Sequence, residues 1–350
     1  MVLKYSVGLD VSSKDIKVCM SSIDEKQAVK VISTCTISNS LSGFKSLATW
    51  IKRLHKSAAQ PVVVCMEATG VYHENCAYYL HTHDFSVSII LPNKAKKYLQ
   101  AIGLKSKNDA IDAKGLAQMG AEQNLSTWQP PGAFFYGLKL LTRQYQSVQE
   151  SITAEKNRLH AYEHCMFQNK TMKKQMIKMI VFLEKMLAET KEAIEAHIKT
   201  NEVIYAKFQK VCKIKGIAIL SAATIIAETD GFELFSSAKQ VVSFAGYDVI
   251  ENQSGSHTGK TKISKKGNAR IRRILHMPAL VAMGKDDKFS NLCQRVYERT
   301  GIKMKGIVAV QKKLLVMVYH IWTKDIDYIE NYENIQEKKQ VFSSPLQKAS

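Results

Sequence analysis

The sequence predicts an α/β domain followed by a mainly helical region. Up to about residue 128, apolar runs of strand length alternate with amphipathic runs of helix length, a pattern typical of strands packed against helices. From about residue 134 to about residue 208, helical periodicity with many charged residues continues without strand-like runs. The consecutive prolines Pro130 and Pro131 cannot continue a helix, so they indicate a linker between the two regions.

Three predicted strands open the α/β region, and the polar turns between them indicate an antiparallel meander: Tyr5–Asp10, Ile16–Ser22 and Val29–Ile37. Helix and strand then alternate, starting with a helix: Leu41–Lys56, Pro61–Glu67, Tyr72–Thr82, Ser86–Leu91 and Lys94–Ile102. A further helix carries Asp109 and Asp112. A meander followed by alternating helix and strand is the element order of the RNase H-like fold.

Four acidic residues lie at the ends of predicted strands or at the start of a predicted helix. Asp10 ends the first strand, Glu67 ends the fourth, and Asp109 and Asp112 open the last helix. Because Asp109 and Asp112 are less than one helical turn apart, they share a helix face. One interpretation is a pair of solvated acids favoured by the positive helix N-terminus. The other is that all four acids supply the hard oxygen ligands of a two-metal phosphodiester site, with Mg²⁺ or Mn²⁺ as the cation.

The charge balance favours a polyanionic partner. The 350 residues include 50 Lys and Arg against 31 Asp and Glu, a net charge of +19, so nucleic acid is the first candidate. Seven cysteines without a C-x-x-C pair indicate a reducing cytosol. We expect no secretion signal and no membrane partner, because no apolar run approaches the ~18 residues that a bilayer span needs.

The second half of the chain is predicted to be mainly helical. Residues 134–208 are typical of a helical hairpin or coiled coil, with interruptions near Asn169 and Asn201. This segment is either a spacer or oligomerisation arm, or a direct nucleic-acid contact. We assign residues 1–128 to an RNase H-like (resolvase-like) domain, 134–208 to the coiled coil, 209–325 to a C-terminal helical domain and 326–350 to a polar tail.

Three features of the C-terminal region point to nucleic acid. The turn at Gly216, which leads into an apolar helix, is similar to half of a helix-hairpin-helix element, whose backbone amides hold a DNA phosphate. Glu251–Thr261 has no apolar residue and predicts a mobile loop. The basic run beside that loop contains no acid and is either a solvated face or a phosphate-binding surface: Lys260, Lys262, Lys265, Lys266, Arg270, Arg272 and Arg273.

Several motifs resemble one family in order and spacing. They are G-L-D-V-S at Gly8–Ser12, M-E-A-T-G-V-Y at Met66–Tyr72, the Pro92–Ala117 segment ending in K-N-D-A-I-D-A-K-G-L-A, F-A-G at Phe244–Gly246, Q-S-G at Gln253–Gly255 and I-S-K-K-G-N-A-R-I-R-R at Ile263–Arg273. With them the chain resembles the Piv/MooV family, insertion-sequence transposases and recombinases with a DEDD catalytic domain. The chain departs from that family at Ile214-Lys215-Gly216, where a small residue, Pro and Gly are usual.

The resemblance implies an activity and its residues. Asp10, Glu67, Asp109 and Asp112 would be the DEDD acids, and Ser254 the serine that attacks DNA to give a covalent phosphoserine. It further implies a homo-oligomer, a dimer or tetramer, often directed by a guide RNA from the same element, in the bacterial cytosol or nucleoid.

Alternatives remain at this stage. From composition alone Ser254 is an ordinary turn serine, Ser256 is a second candidate nucleophile, and His257 is a candidate base or phosphate donor. The four acids could also serve a structure-specific nuclease, such as a junction resolvase, that uses water alone. A third possibility is a basic coiled-coil protein that organises DNA and has no catalytic activity.

Overall fold

The computed structural model of the chain describes residues 1–55, 59–68, 70–103, 108–251, 253–254, 257–259 and 261–329. The chain divides into two compact units, Met1–Pro130 and Pro131–Ser350. No helix in these described ranges is both long enough and apolar enough to cross a bilayer.

The first unit contains a five-stranded sheet. Its strands, in chain order, are β1 Val2–Val11, β2 Asp15–Asp24, β3 Val29–Ser38, β4 Val62–Glu67 and β5 Ser86–Ile90. The spatial order is β3-β2-β1-β4-β5. The first three strands pair antiparallel, whereas β4 runs parallel to β1 and β5 runs parallel to β4. The predicted meander and RNase H-like order are therefore confirmed.

Four helices cover this sheet: α1 Leu41–Leu54, α2 Glu74–His81, α3 Pro92–Ala101 and α4 Asp109–Glu122. The main core contains strand residues such as Val7, Leu9 and Met66 together with apolar residues of α1 and α2. Because side chains alternate along a strand, the residues between them face the opposite side, where α4 packs. The helix α4 begins where it does because the Asn108 side chain accepts a hydrogen bond from the Ile111 amide, at 2.8 Å.

The second unit is mainly helical, as predicted. Its helices are α5 Ala133–Glu163, α6 Lys170–Lys199, α7 Glu202–Cys212, α8 Ile219–Glu228, α9 Ala238–Phe244, α10 Ala269–Ile274, α11 His276–Lys285, α12 Asp287–Thr300 and α13 Lys303–Lys324. The long helices α5 and α6 pack against each other. The interruptions predicted near Asn169 and Asn201 are confirmed, because both side chains cap the helix that follows. That the pair is a coiled coil stays a prediction.

One apolar core joins the helices of the second unit, with Phe208, Phe232, Phe289 and Trp322 among its largest members. The turn at Gly216 lies between α7 and α8 with a φ of +91°. A Cβ atom there would lie 2.4 Å from the Pro278 carbonyl oxygen, so the turn packs directly on α11. The helix-hairpin-helix assignment stays a prediction.

The predicted loop at Glu251–Thr261 needs correction. Within the described residues of this segment, short strands pair antiparallel: β6 Val249–Ile250 with β9 Lys262–Ile263, and β7 Gln253–Ser254 with β8 His257–Thr258. The prediction was wrong because it relied on the missing apolar side chains. Backbone pairing does not require them once the flanking segments are held together.

Candidate active site

The two strand-end acids occupy the same edge of the sheet in the first unit. The parallel pairing of β1 with β4 aligns Gly8 with Cys65 and Leu9 with Met66. Leu9 and Met66 immediately precede Asp10 and Glu67 in the chain. Cys65 packs with residues of α4. Since strand side chains alternate, Asp10 and Glu67 lie on that same face, beside each other at the ends of neighbouring strands.

The helix α4 approaches β1 unusually closely, and this contact sets its direction. A Cβ atom at Gly8 would lie 2.1 Å from the Ala113 carbonyl oxygen, and one at Gly120 would lie 2.2 Å from the Ser6 hydroxyl oxygen. The helix therefore runs antiparallel to β1. Its N-terminal turn, with the other two acids, lies toward the end of β1 that carries Asp10.

The acids differ in exposure. Asp10, Glu67 and Asp112 are half-buried, whereas Asp109 is exposed. Their carboxylate oxygens are the donors that Mg²⁺ and Mn²⁺ prefer, so the donor set fits such a cation. Among the described residues, however, no group of three or more His, Cys, Asp or Glu side chains is close enough to hold one metal ion. The fold thus brings the acids to one edge of the sheet without closing them around a common ion.

Asn39, which sequence analysis missed, ties together the segments that follow the two strand-end acids. Its side-chain amide donates to the carbonyl oxygens of Ser12 at 2.8 Å and Tyr72 at 3.1 Å. Nothing in its sequence context, N-S-L after a strand, distinguishes it from an ordinary turn residue. Tyr72 itself is exposed, and Thr69 lies outside the described residues.

Ser254 lies in the second unit, on β7, where it is exposed. Its backbone pairs with that of His257 on β8. Gly255 and Ser256, which connect these strands, lie outside the described residues, and so does the side chain of His257. We refer to residues 244–268, which contain β6 to β9, as the Ser254 hairpin.

Backbone hydrogen bonds hold the root of the Ser254 hairpin. The amides of Ser264, Lys265 and Asn268 donate to the carbonyl oxygens of Asp248, Gly246 and Phe244, at 2.8, 3.1 and 2.7 Å respectively. Gly246 has a φ of +72°, a conformation that side chains with a Cβ disfavour. The F-A-G and K-G-N motifs therefore form the paired root of the hairpin.

The residues of the basic run differ in their exposure and in the contacts they make. Lys262, Lys265 and Lys266 are exposed, whereas Lys260 lies outside the described residues. Arg272 is half-buried, and its guanidinium donates to the carbonyl oxygens of Ala245, at 2.8 Å, and Gly267, at 3.2 Å. It therefore holds the hairpin root.

The other two arginines of the run are exposed but lie beside acids of neighbouring helices. Arg273 pairs with Glu150 of α5. The Nε atom of Arg270 lies 3.9 Å from a carboxylate oxygen of Glu228. Among the described residues of this basic run, the side chains exposed to solvent without a described acidic partner are therefore those of Lys262, Lys265 and Lys266.

Glu228, the last residue of α8, is a buried acid that sequence analysis also missed. Only 1% of its side chain is exposed. Arg143 of α5 donates to both carboxylate oxygens, at 2.7 and 3.0 Å, and the Asn268 side chain donates at 2.7 Å. Burial acts to raise the pKa of Glu228, but the hydrogen bonds and charge of Arg143, together with the Asn268 hydrogen bond and the charge of Lys139, outweigh it and hold this pKa below its usual value. An acid ending the apolar run I-I-A-E was the available sequence signal.

Comparisons with known proteins agree with these motifs. A family model for DEDD transposases of the IS110 group, described as a transposase, matches residues 7–164. A second, the transposase IS116/IS110/IS902 family, matches residues 209–294. The pilin gene-inverting protein of Moraxella bovis is 26% identical over 320 residues, which cover 91% of this chain and 95% of that protein.

Two further similarities are partial. The transposase for insertion sequence element IS1111A of Coxiella burnetii is 26% identical over 146 residues, 41% of this chain and 39% of that protein. The structural alignment with Thermus thermophilus RuvC covers 35% of this chain and 99% of the RuvC chain, with 13% sequence identity and a TM-score of 0.27. The two family models include all four acids and Ser254, and they show that the chain belongs to the IS116/IS110/IS902 family of transposases.

Proposed function

We propose that this transposase cuts and rejoins DNA through a covalent phosphoserine at Ser254, assisted by divalent cations that Asp10, Glu67, Asp109 and Asp112 hold. The observation that carries the proposal is the placement of Asp10 and Glu67. They directly follow Leu9 and Met66, the last residues that pair β1 with β4, on the face that α4 covers. Family membership favours this enzyme over a DNA-organising protein without catalytic activity.

The chemistry conserves phosphodiester bond energy. The Ser254 hydroxyl attacks phosphorus, a serine oxygen–phosphorus bond forms, and the bond to one deoxyribose oxygen breaks. The serine proton leaves to a base, and the released deoxyribose oxygen takes up a proton. Attack on the phosphoserine by a deoxyribose hydroxyl of another strand then forms the new phosphodiester bond and breaks the serine oxygen–phosphorus bond. The attacking hydroxyl loses its proton to a base and the Ser254 oxygen takes one up, so the DNA is rejoined and ATP is not consumed.

Serine is a weak nucleophile and needs activation. Mg²⁺ or Mn²⁺, when bound, neutralises the non-bridging phosphate oxygens and assists loss of the serine proton. The acids supply the negative charge that attracts the cation. The exposed side chains of Lys262, Lys265 and Lys266 contact the DNA backbone beside the serine. In this proposal the remaining residues of the basic run, Lys260, Arg270, Arg272 and Arg273, belong to the same surface.

The proposal includes partners. The names of the relatives describe the inversion of a pilin gene and the transposition of an insertion sequence, so DNA at element ends and targets is the proposed substrate. A homo-oligomer, dimer or tetramer, is supported by exposed apolar side chains on α6, among them Met179 and Phe182. A guide RNA rests on the family resemblance and the net charge of +19. The proposed place of action is the bacterial cytosol or nucleoid.

The test is to incubate the protein with DNA spanning the element ends, the RNA of the element and Mg²⁺ or Mn²⁺, and then map any residue left attached to DNA. We expect an adduct at Ser254 that Ser254→Ala abolishes and Ser256→Ala leaves. An adduct at Ser256 or at a tyrosine would refute the assignment of Ser254. Cleavage that survives Ser254→Ala but not Asp10→Asn would instead identify a nuclease that uses water.

A further inference from the structure

The environment of Glu228 contains more than an ion pair. Burying a carboxylate costs several kcal/mol unless charged partners and hydrogen bonds compensate. Arg143 supplies the opposite charge, whereas Asn268 supplies a neutral donor from the root of the Ser254 hairpin. The carboxylate thus joins α5 and α8 to the returning strand of this hairpin.

Asn268 uses both halves of its side-chain amide. The oxygen accepts hydrogen bonds from the amides of Arg270, at 2.9 Å, and Ile271, at 3.1 Å, and so caps α10. The nitrogen donates to Glu228, and the backbone amide donates to Phe244 at 2.7 Å. Serine or aspartate could also cap α10, but ionised aspartate has no hydrogen to donate and would face Glu228 with a like charge.

The position of Ser254 depends on this root. Backbone pairing runs from Asn268 and Phe244 through Ser264 and Asp248 to the pairing of β6 with β9. Beyond it, the separate pairing of β7 with β8 carries Ser254 and His257. At roughly 3.3 Å per residue, the chain from Asp248, at the root, to Ser254 spans at most about 20 Å. A tilt of about 10° at the root therefore moves the tip by about 3 to 4 Å, and a displacement near 1 Å can already cost about a hundredfold in rate.

We propose that Glu228 is a positioning residue for the reaction: through Asn268 it fixes the direction in which the Ser254 hairpin leaves the helical core. This inference rests on the proposed role of Ser254 as the nucleophile. Glu228 itself touches no reacting atom, because its carboxylate is enclosed by Arg143, Asn268 and the helices α5 and α8.

The test uses a substitution that keeps the cap of α10 but breaks the hydrogen bond between Asn268 and Glu228. Asn268→Asp still caps α10 but places a carboxylate against Glu228. The double variant Asn268→Asp with Glu228→Gln has the same net charge as the native protein and reverses donor and acceptor, so the hydrogen bond can re-form. Asn169→Asp is the matched control, because Asn169 also caps a helix, and its side chain accepts hydrogen bonds from Thr171 and Met172 of α6.

We expect Asn268→Asp to slow adduct formation at Ser254 about ten- to a hundredfold, while the affinity for DNA changes less than about threefold. The double variant should recover to within about threefold of the native rate, and the Asn169→Asp control should match the native protein. A slow double variant, or a loss of DNA affinity that parallels the loss of rate, would overturn the proposal.

Amide hydrogen exchange tests how firmly the hairpin is held, independently of the reaction at Ser254. The amides of Ser264 and Lys265 should exchange about tenfold faster in Asn268→Asp and at the native rate in the double variant. Unchanged exchange in Asn268→Asp would overturn the inference whatever the activity. If the native protein forms no adduct at Ser254, the proposed function fails, whereas the exchange rates still decide whether Glu228 fixes the hairpin.

Discussion

The two units position their candidate catalytic groups by different means. In the first, the acids lie at the ends of strands and at the start of a helix, so regular backbone geometry places them. In the second, Ser254 lies on a short polar hairpin whose direction depends on side chains from distant parts of the chain, Arg143 and Glu228 among them. Regular elements tolerate many side-chain changes, whereas an irregular hairpin depends on a few buried polar contacts.

The largest effect should come from breaking the contact of α4 with the sheet. Gly8→Ala places a Cβ atom against the backbone of Ala113 and Ala117. Because neither backbone atom can move alone, we expect a loss of about 3 kcal/mol in the free energy of unfolding, measured by urea denaturation. Gly284→Ala is the control, since no atom of the described residues lies within 4 Å of its Cβ position. Equal stabilities for the two variants would refute the close-contact interpretation.

Arg143→Met tests the buried acid of the second unit. Removing this guanidinium leaves Glu228 buried with Asn268 as its remaining close donor and the Nε atom of Arg270 3.9 Å away. The loss should cost about 2 to 3 kcal/mol; the figure is reduced because Arg143 is 39% exposed. The native pKa of Glu228 is lowered, so its contribution is present above the usual value of 4.5 and is lost as the pH falls through the folded pKa.

In Arg143→Met, burial should dominate and raise that pKa. The pH dependence of this contribution then has the opposite sign: it is fully present at low pH and is lost as the pH rises through the raised pKa. The measurement is the difference in unfolding free energy between variant and native protein from about pH 3 to about pH 8, a range that extends both below and above the usual value. A difference that does not vary with pH would contradict this account.

A smaller effect is expected at Asn39. Asn39→Ala removes two hydrogen bonds to the segments after Asp10 and Glu67, which should cost about 1 kcal/mol in stability. The rate of DNA cleavage should fall by more than the loss of folded protein accounts for, because the segments after Asp10 and Glu67 are no longer held together. The exposed Asn93→Ala serves as the control. Native cleavage by Asn39→Ala would show that regular backbone geometry alone places the acids.

The smallest effect on stability should come from the exposed lysines beside the hairpin. Lys266→Ala should change the free energy of unfolding by less than about 0.5 kcal/mol. It should also reduce the slope of log affinity for DNA against log salt concentration by about 1, since one phosphate contact is lost. A titration at several salt concentrations measures this slope, and an unchanged slope would remove Lys266 from the proposed DNA surface.

The sequence by itself determined the order of elements in the first unit and the positions of Asp10, Glu67, Asp109 and Asp112 within it. Periodicity and capping residues are local properties, and a parallel pair of strands brings the ends of both strands to the same edge. The breaks at Asn169 and Asn201 were predictable for the same reason, because an asparagine before a helix supplies its own cap.

Only the tertiary structure revealed Asn39, the enclosure of Glu228 by Arg143 and Asn268, and the pairing that turns the predicted loop at Glu251–Thr261 into a hairpin. These contacts join residues that are far apart in the chain, and their polar side chains look like ordinary surface residues in the sequence. The direction of α4 relative to β1 was likewise set by packing, through the contact of Gly8 with α4. Local sequence patterns determine the secondary structure of a segment. The cost of burying polar groups without partners determines which distant segments must contact each other.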